Sequence, residues 1–198
     1  TIFGSGSEVS SAIAFRYADS ISKTILFNNL LLPDNVILDA NFLDFNKKQF
    51  LYPGAFDAFT HALEGFVSVI ENSFLDNNVF DSIKVLLSIF SDLKNDKQSI
   101  KTVENLCYVS YHAGIIQNHC SVGITHSFAH QLSSFGVSHG VANALFLSSV
   151  IEFNKHHTNK YDILVNSIGI ESIEYLVTFL DETLLKSDAI PSEDTIML

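Results

Sequence analysis

Residues 54–66 read GAFDAFTHALEGF, and residues 123–143 read GITHSFAHQLSSFGVSHGVAN. Apolar side chains in the first stretch recur at the spacing of one helical face, and a second such face runs through residues 80–93. This period of 3.6 residues predicts α-helices rather than strands. The same pattern predicts further helices near residues 98–118, 121–133, 140–153, 160–168 and 171–186. The chain is therefore predicted to be helical from about residue 47 onward.

The first 46 residues have a different pattern. Short apolar or alternating runs, SAIAFRYA, KTILFN and VILD, are separated by turn-forming residues. Runs of this length between turns are typical of β-strands. The predicted fold class is therefore mainly α. An all-helical domain at residues 47–198 is preceded by a few strands, the tail of an α/β unit, within residues 1–46.

The composition argues against several classes of function. The 198 residues carry a formal net charge of −11 and no cluster of Lys and Arg, so nucleic-acid binding is not expected. No apolar run approaches the ~20 residues of a membrane-spanning helix. The two cysteines lack C-x-x-C spacing, and we interpret them as free thiols in a reducing cytoplasm. Because the chain begins with Thr rather than Met, we expect it to lack its natural N-terminus.

Four side chains in the two quoted stretches form a candidate metal site: Asp57, His61, His126 and His139. Asp57 and His61 are four residues apart, which places them on one face of a helix. The turn SSFGVS follows the predicted helix of His126 and is expected to return His139 to the same pocket. One carboxylate with three imidazoles suits a catalytic transition metal better than calcium, magnesium or structural zinc. The residues alone leave open the alternative of hydrogen-bonded core histidines.

Two further features carry weaker signals. The Gly/Ser-rich turn at residues 4–8, GSGSE, has the composition of a backbone nest that could bind phosphate, although such turns are common. Four other histidines lack neighbouring ligands of the right spacing, and we interpret them as structural or solvated: His112, His119, His156 and His157.

The motifs resemble those of the iron-containing (group III) alcohol dehydrogenase family. DAFTHALEGFVS is similar to the family signature D-A-x-T-H-A-x-E. HSFAHQLSSFGVSHGVANALFL is similar to H-x3-A-H-x-L followed by H-G-x-A-N. TIFGSGSEVS and LPDNVILDANFL resemble the family's T-T-x-G-T-G-S-E-V turn and P-x-x-x-I-x-D strand. The resemblance runs in order through residues 1–150.

The resemblance implies a role for individual residues of this chain. It implies that His130 is a further active-site histidine and not a metal ligand. It implies Fe(II) as the metal, with Zn(II) as the alternative, and NAD or NADP as the cofactor. The implied metal ligands are Asp57, His61, His126 and His139, and the implied cofactor contacts are Thr1, Ser5 and, by a looser alignment, Lys23.

The implied activity is reversible hydride transfer between a small alcohol, or the matching aldehyde or ketone, and NAD(P). The metal would act as a Lewis acid on the substrate oxygen. Residues 1–46 would be the C-terminal remnant of a nucleotide-binding domain, and residues 47–198 a catalytic domain that is itself shortened at its C-terminus. Thr1-Ile2 and Ser5 depart from the Thr-Thr and Thr of the family turn, and the Gly-rich pyrophosphate loop is not in the chain. Homo-oligomer formation is left open.

The sequence leaves two alternatives to this activity. The first is another enzyme of the same superfamily, such as a glycerol or sugar dehydrogenase or a dehydroquinate synthase-like lyase. The second is an inactive or non-catalytic helical fragment that binds metal. The spacing of Asp57 and His61, with four ligands in all, favours the iron-containing type over the first alternative. Cofactor binding with turnover would separate an enzyme from the second.

Overall fold

The structure is a computed structural model that describes residues 3–15, 17–18, 23–187 and 190 of the chain. Within these residues the predicted fold class is confirmed, because the chain is mainly α, with two short strands. The helices are, in chain order, α1 (Lys48–Val67), α2 (Asp76–Lys94), α3 (Ile100–Cys120), α4 (Ile124–Leu132), α5 (His139–Asn154), α6 (Lys160–Ile168) and α7 (Ile173–Lys186). Each predicted helix is present: α2 begins four residues before the apolar face predicted at residues 80–93, and α4 begins at residue 124 rather than 121.

Helix α1 is the central helix, and α2, α3 and α5 all pack against it. Every residue from 51 to 66 except Pro53 is buried, so the helix is enclosed on all sides rather than apolar on one face only. Phe56 and Phe59 contact Phe90 of α2, with ring centroids 4.6 and 6.0 Å apart. Polar side chains on α1 therefore lie in a dry interior, where they require partners.

Two glycines bring α5 into position beside α1. Gly136 has a φ of +87°, a left-handed conformation that reverses the chain after α4. Gly140, in the first turn of α5, lies directly against Pro53 of α1, and a Cβ atom at Gly140 would fall 1.9 Å from the Pro53 carbonyl oxygen. The start of α5, which carries His139, can approach α1 this closely only because residue 140 has no side chain.

The N-terminal part contains one antiparallel ribbon. Strands β1 (Ala12–Phe15) and β2 (Thr24–Phe27) pair with Ala12 opposite Phe27. The strand predicted for VILD at residues 36–39 is wrong, because these residues are irregular. A strand requires a partner for its backbone groups, and none of the described residues pairs with this segment. Ile37 is instead 90% exposed.

The turn before β1 is attached to α3. The backbone N–H of Gly4 donates a hydrogen bond to Ser110 Oγ at 2.6 Å, and Gln117 Nε2 donates to the Ser5 carbonyl oxygen at 2.7 Å. The N–H of Ser7 donates to Ser5 Oγ, and that of Val9 to the Gly6 carbonyl oxygen. Two backbone donors of the GSGSE turn, the N–H groups of Gly4 and Ser7, are thus engaged within the chain rather than directed at a phosphate.

Among the described residues, no single helix is both long and apolar enough to cross a membrane. Helices α6 and α7 meet the length and composition criteria only as a pair, and that pair is bent by 77°.

Candidate metal centre

The four residues predicted as ligands lie around one point between α1, α4 and α5. Asp57 Oδ1 lies 4.0 Å from His61 Nε2, 3.7 Å from His126 Nε2 and 3.7 Å from His139 Nε2. One ligand atom each from Asp57, His61 and His126 lies within 4.8 Å of the others, and all three residues are buried. His139 is the most accessible member, with its side chain 26% exposed. Three of the four residues are thus buried, and solvent reaches the cluster at His139.

His61 presents one defined nitrogen to the cluster. Its Nδ1 lies 3.0 Å from the carbonyl oxygen of Gly4, in the turn that precedes β1. A carbonyl oxygen can only accept, so Nδ1 must carry the proton. In the neutral imidazole, Nε2 then has a free lone pair directed toward Asp57. The N-terminal turn therefore sets the tautomer of a candidate ligand on α1.

His126 lies between two carboxylates. Its Nδ1 is 2.6 Å from Glu64 Oε2, while its Nε2 faces Asp57 from the other side of the ring. Its ring also stacks on that of His61, with centroids 4.4 Å apart and planes inclined by 17°. The ring of His126 is consequently held at both nitrogens and on one face.

Asn143, one turn after His139 on α5, holds Asp57 in place. Its Nδ2 donates to Asp57 Oδ1 at 2.8 Å and lies 3.3 Å from His126 Nε2. Asn143 is fully buried, and its Oδ1 has no hydrogen-bond partner among the described residues. The Nδ1 of His139 is also buried without a partner among those residues. Two polar atoms of the cluster are thus unsatisfied by the part of the chain that is described.

The electrostatics of the cluster separate the three imidazoles. Burial lowers the pKa of His61 and of His139 to about 4 in each case, despite the opposing charge of Asp57. Burial also acts to lower the pKa of His126, but Asp57 and Glu64 outweigh it and raise that pKa to about 9. Burial acts to raise the pKa of Asp57, yet the three histidines hold it below its ordinary value. Near neutral pH the cluster therefore contains two neutral imidazoles, one imidazolium and one carboxylate.

This arrangement fits a divalent transition metal. The donors are one carboxylate oxygen and three imidazole nitrogens, a set that suits iron or zinc better than calcium or magnesium. The tautomer of His61 leaves its Nε2 lone pair facing the carboxylate, and His139 Nε2 lies 3.7 Å from the same Asp57 oxygen, beyond hydrogen-bond distance. A cation among these atoms would also compensate the buried charge of Asp57.

The other predicted site residues differ in their placement. His130 stacks on His139 with ring centroids 4.8 Å apart, and its Nδ1 is buried without a partner among the described residues. Burial and then the charge of Lys23 lower the pKa of His130, and the charge of Lys23 also acts on His139. Lys23 is therefore near enough to both imidazoles for its charge to act on them. Ser5 lies in the turn bonded to α3, and Thr1 lies outside the described residues.

Two residues of the cluster were not predicted from the sequence. Glu64 follows Asp57 by seven residues and His61 by three, so helical spacing places all three on one face of α1. Asn143 follows His139 by four residues on α5. The same spacing that identified Asp57 and His61 could have identified both. The histidines predicted to be bystanders are not in the cluster: His112 bonds to Asn78 Nδ2, and exposed side chains belong to His119, His156 and His157.

The sequence is similar to known alcohol dehydrogenases. Residues 53–177 match the model of the Fe-containing alcohol dehydrogenase family, C-terminal. The chain is 35% identical over 155 residues to the 1-propanol dehydrogenase PduQ of Salmonella typhimurium, covering 78% of this chain and 42% of that protein. It is 33% identical over 156 residues to the bifunctional aldehyde-alcohol dehydrogenase AdhE of Escherichia coli, covering 78% of this chain and 18% of that protein. The chain thus spans less than half the length of these relatives.

The fold is similar to those of solved dehydrogenase and reductase structures. An iron-containing alcohol dehydrogenase from Thermococcus thioreducens superposes with a TM-score of 0.82 at 22% identity, over 97% of this chain and 52% of that one. A sulfoacetaldehyde reductase from Bifidobacterium kashiwanohense, solved in complex with NAD+, gives a TM-score of 0.88 at 17% identity. That match covers 99% of this chain and 53% of the reductase. At these identities the likeness shows the fold.

Proposed function

Because this chain belongs to the Fe-containing alcohol dehydrogenase family, we propose that it is the metal-binding part of an enzyme that transfers a hydride between an alcohol and NAD(P). The substrate class would be small alcohols and the matching aldehydes or ketones, as the names of the relatives suggest. We further propose that residues 1–46 belong to the nucleotide-binding unit and residues 47–198 to the metal-binding unit of that enzyme.

One observation carries this proposal: Asp57 Oδ1 has three imidazole Nε2 atoms within 4.0 Å. We propose His61, His126 and His139, together with Asp57, as the ligands of one Fe(II) ion, with Zn(II) as the alternative. Hydrogen-bonded core histidines would lie within hydrogen-bond distance of the carboxylate, whereas the three Nε2 atoms stand 3.7 to 4.0 Å from Asp57 Oδ1, too far for a hydrogen bond. A bound divalent ion would supply Lewis-acid polarisation of the substrate oxygen.

In this proposal the protein provides orientation, exclusion of water and a path for the proton. His61 and His126 are buried and held at Nδ1, so their Nε2 atoms are preorganised. His130, beside His139 at the more open edge, is the candidate proton carrier. Its lowered pKa leaves it neutral near neutral pH, and its Nδ1 is free of partners within the described residues. During alcohol oxidation the imidazole of His130 would accept the hydroxyl proton, and a bound nicotinamide would supply the hydride acceptor.

The cofactor contacts remain part of the proposal. Lys23 acts electrostatically on His130 and His139, so a cofactor held near Lys23 would lie close to the metal cluster. Ser5 is carried by the same turn that bonds to His61 through Gly4. We propose Thr1, Ser5 and Lys23 as contacts to NAD or NADP.

The proposal is tested by anaerobic loading of the chain with Fe(II), followed by an assay for alcohol-dependent formation of NADH or NADPH. We expect turnover that requires added metal and is absent from the Asp57→Ala variant, because that change removes the carboxylate shared by all three imidazoles. A control, Asp81→Ala, removes a carboxylate of α2 outside the cluster and should retain activity. Tight metal binding without any turnover would instead support the non-catalytic alternative.

Metal binding is expected to release about one proton per chain near pH 7. Of the three imidazoles in the cluster, only that of His126 is protonated at pH 7. Its pKa is raised to about 9, while those of His61 and His139 are lowered to about 4. A metal competes with the proton on His126 Nε2, so affinity should rise about tenfold per pH unit until pH about 9 and then level off. Isothermal titration in buffers of different ionisation enthalpy measures this. Release of two or more protons would show that another imidazole is also charged.

A further inference from the structure

We propose that Glu64 is a positioning residue that fixes the ring and tautomer of His126, so that Nε2 is the nitrogen offered to the metal. This inference rests on the proposed metal site and adds a residue that contacts no proposed substrate or cofactor. Glu64 lies on α1, whereas His126 is 62 residues further along the chain on α4. The contact between them thus joins two of the three helices that build the site.

The geometry of the contact is specific. Glu64 Oε2 lies 2.6 Å from His126 Nδ1, and both side chains are at most 5% exposed. A carboxylate accepts hydrogen bonds and does not donate when ionised, so the proton belongs on Nδ1. The lone pair of the neutral ring then lies on Nε2, the atom that faces Asp57 Oδ1 at 3.7 Å. An acceptor at Nδ1 also increases the basicity of the nitrogen on the opposite side.

The same carboxylate also binds the backbone at the start of α4. Glu64 Oε2 accepts from the N–H of Gly123 at 2.9 Å, and Oε1 accepts from the N–H of Thr125 at 2.8 Å. These bonds satisfy amide groups that have no partner within the helix. They also fix the backbone directly before His126, so one side chain holds both the ring and the main chain that leads to it.

The surrounding chain leaves room for this carboxylate. A Cβ atom on residue 123 would fall 2.7 Å from Glu64 Oε1, so only Gly123 accepts the observed position without a shift. Three groups surround this carboxylate within hydrogen-bond distance: the N–H of Gly123, the N–H of Thr125 and Nδ1 of His126. Glu64 thus uses both carboxylate oxygens as acceptors, and an amide, with one acceptor oxygen, could not accept from all three groups in the same way.

The role as a positioning residue is distinct from that of a simple helix cap. A glutamine side chain has one acceptor oxygen and one donor NH2 group. In Glu64→Gln the oxygen can still accept from a backbone N–H of α4, but the NH2 group would then face the Nδ1–H of His126. The substitution therefore preserves part of the cap and removes the acceptor that orients the ring.

The test compares Zn(II) binding by the wild-type chain, Glu64→Gln and a matched control, Glu104→Gln, which changes an exposed glutamate of α3. We expect Glu64→Gln to weaken Zn(II) binding by about 10- to 100-fold, the usual effect of removing a group that orients a ligand. Glu104→Gln should bind like the wild type. Nitrogen-15 NMR of histidine-labelled, Zn(II)-loaded protein reports the tautomer, and we expect the His126 Nδ1 proton signal to move in Glu64→Gln only.

The possible results separate this inference from the proposed function. A wild-type chain that does not bind Zn(II) overturns the metal site and this inference together. Normal Zn(II) affinity in Glu64→Gln, beside a wild type that binds, overturns the role of Glu64 alone. A loss of affinity with an unchanged His126 signal would assign Glu64 to helix capping and likewise overturn it. If Glu64→Gln does not fold, the spectrum of the Zn(II)-loaded wild type tests the inference. A proton on His126 Nδ1 supports it, and a proton on His126 Nε2 contradicts it.

Discussion

The His61→Ala variant is expected to bind Fe(II) or Zn(II) more than about 100-fold more weakly than the wild type, a larger loss than removal of an orienting group causes. His61 lies on the central helix, one turn after Asp57, with its Nε2 4.0 Å from the shared carboxylate oxygen. The substitution removes one of four donors and also the hydrogen bond to the Gly4 carbonyl oxygen. Isothermal titration of the metal-free protein, under anaerobic conditions for Fe(II), measures the change.

Two histidines provide matched controls for this prediction. His119 and His157 are both exposed and lie outside the cluster. We expect His119→Ala and His157→Ala to bind metal with wild-type affinity, because neither residue faces Asp57. Circular dichroism would establish that His61→Ala keeps its helices, so that a loss of binding reflects the missing ligand. Equal losses in all three variants would mean that the binding measured is not at this cluster.

The helices and the shared face of Asp57 and His61 could be predicted because both depend on local spacing, whereas the inclusion of His126 and His139 among the candidate ligands was implied by the resemblance to the family. A period of 3.6 residues fixes a helix over short distances, and a separation of four residues fixes a shared face. Asp57 and His61 therefore needed no knowledge of the rest of the fold. The turn that contains Gly136 predicted that the chain would bring His139 back to the pocket of His126. In the structure Gly136 has a left-handed φ of +87°.

The residues that support the ligands could not be predicted as readily, since their roles depend on contacts distant in sequence. Spacing shows that Glu64 shares a face with Asp57, but its partner His126 is on another helix. Asn143 similarly reaches Asp57 across 86 residues. The strand predicted for residues 36–39 was wrong for a related reason. An apolar run forms a strand only where another strand pairs with it.

The Gly140→Ala variant is expected to lower both the thermal stability and the metal affinity of the chain. The added Cβ atom would lie 1.9 Å from the Pro53 carbonyl oxygen and 2.5 Å from the Pro53 carbonyl carbon, so backbone rather than a flexible side chain must move. Overpacking of this kind costs about 2–3 kcal/mol. For a chain of this size the expected fall in Tm is roughly 4–12 °C.

Loss of metal affinity in Gly140→Ala follows from the position of the neighbouring residue. His139 begins α5, and Asn143 follows one turn later, so a shift of α5 away from α1 withdraws both from Asp57. The control is Ser138→Ala, an exposed position next to His139 whose side chain makes no capping hydrogen bond. Thermal denaturation followed by circular dichroism measures the stability of both variants, and metal titration measures their affinity. An unchanged Tm and affinity in Gly140→Ala would show that α5 does not need its close contact with Pro53 to hold His139 in the cluster.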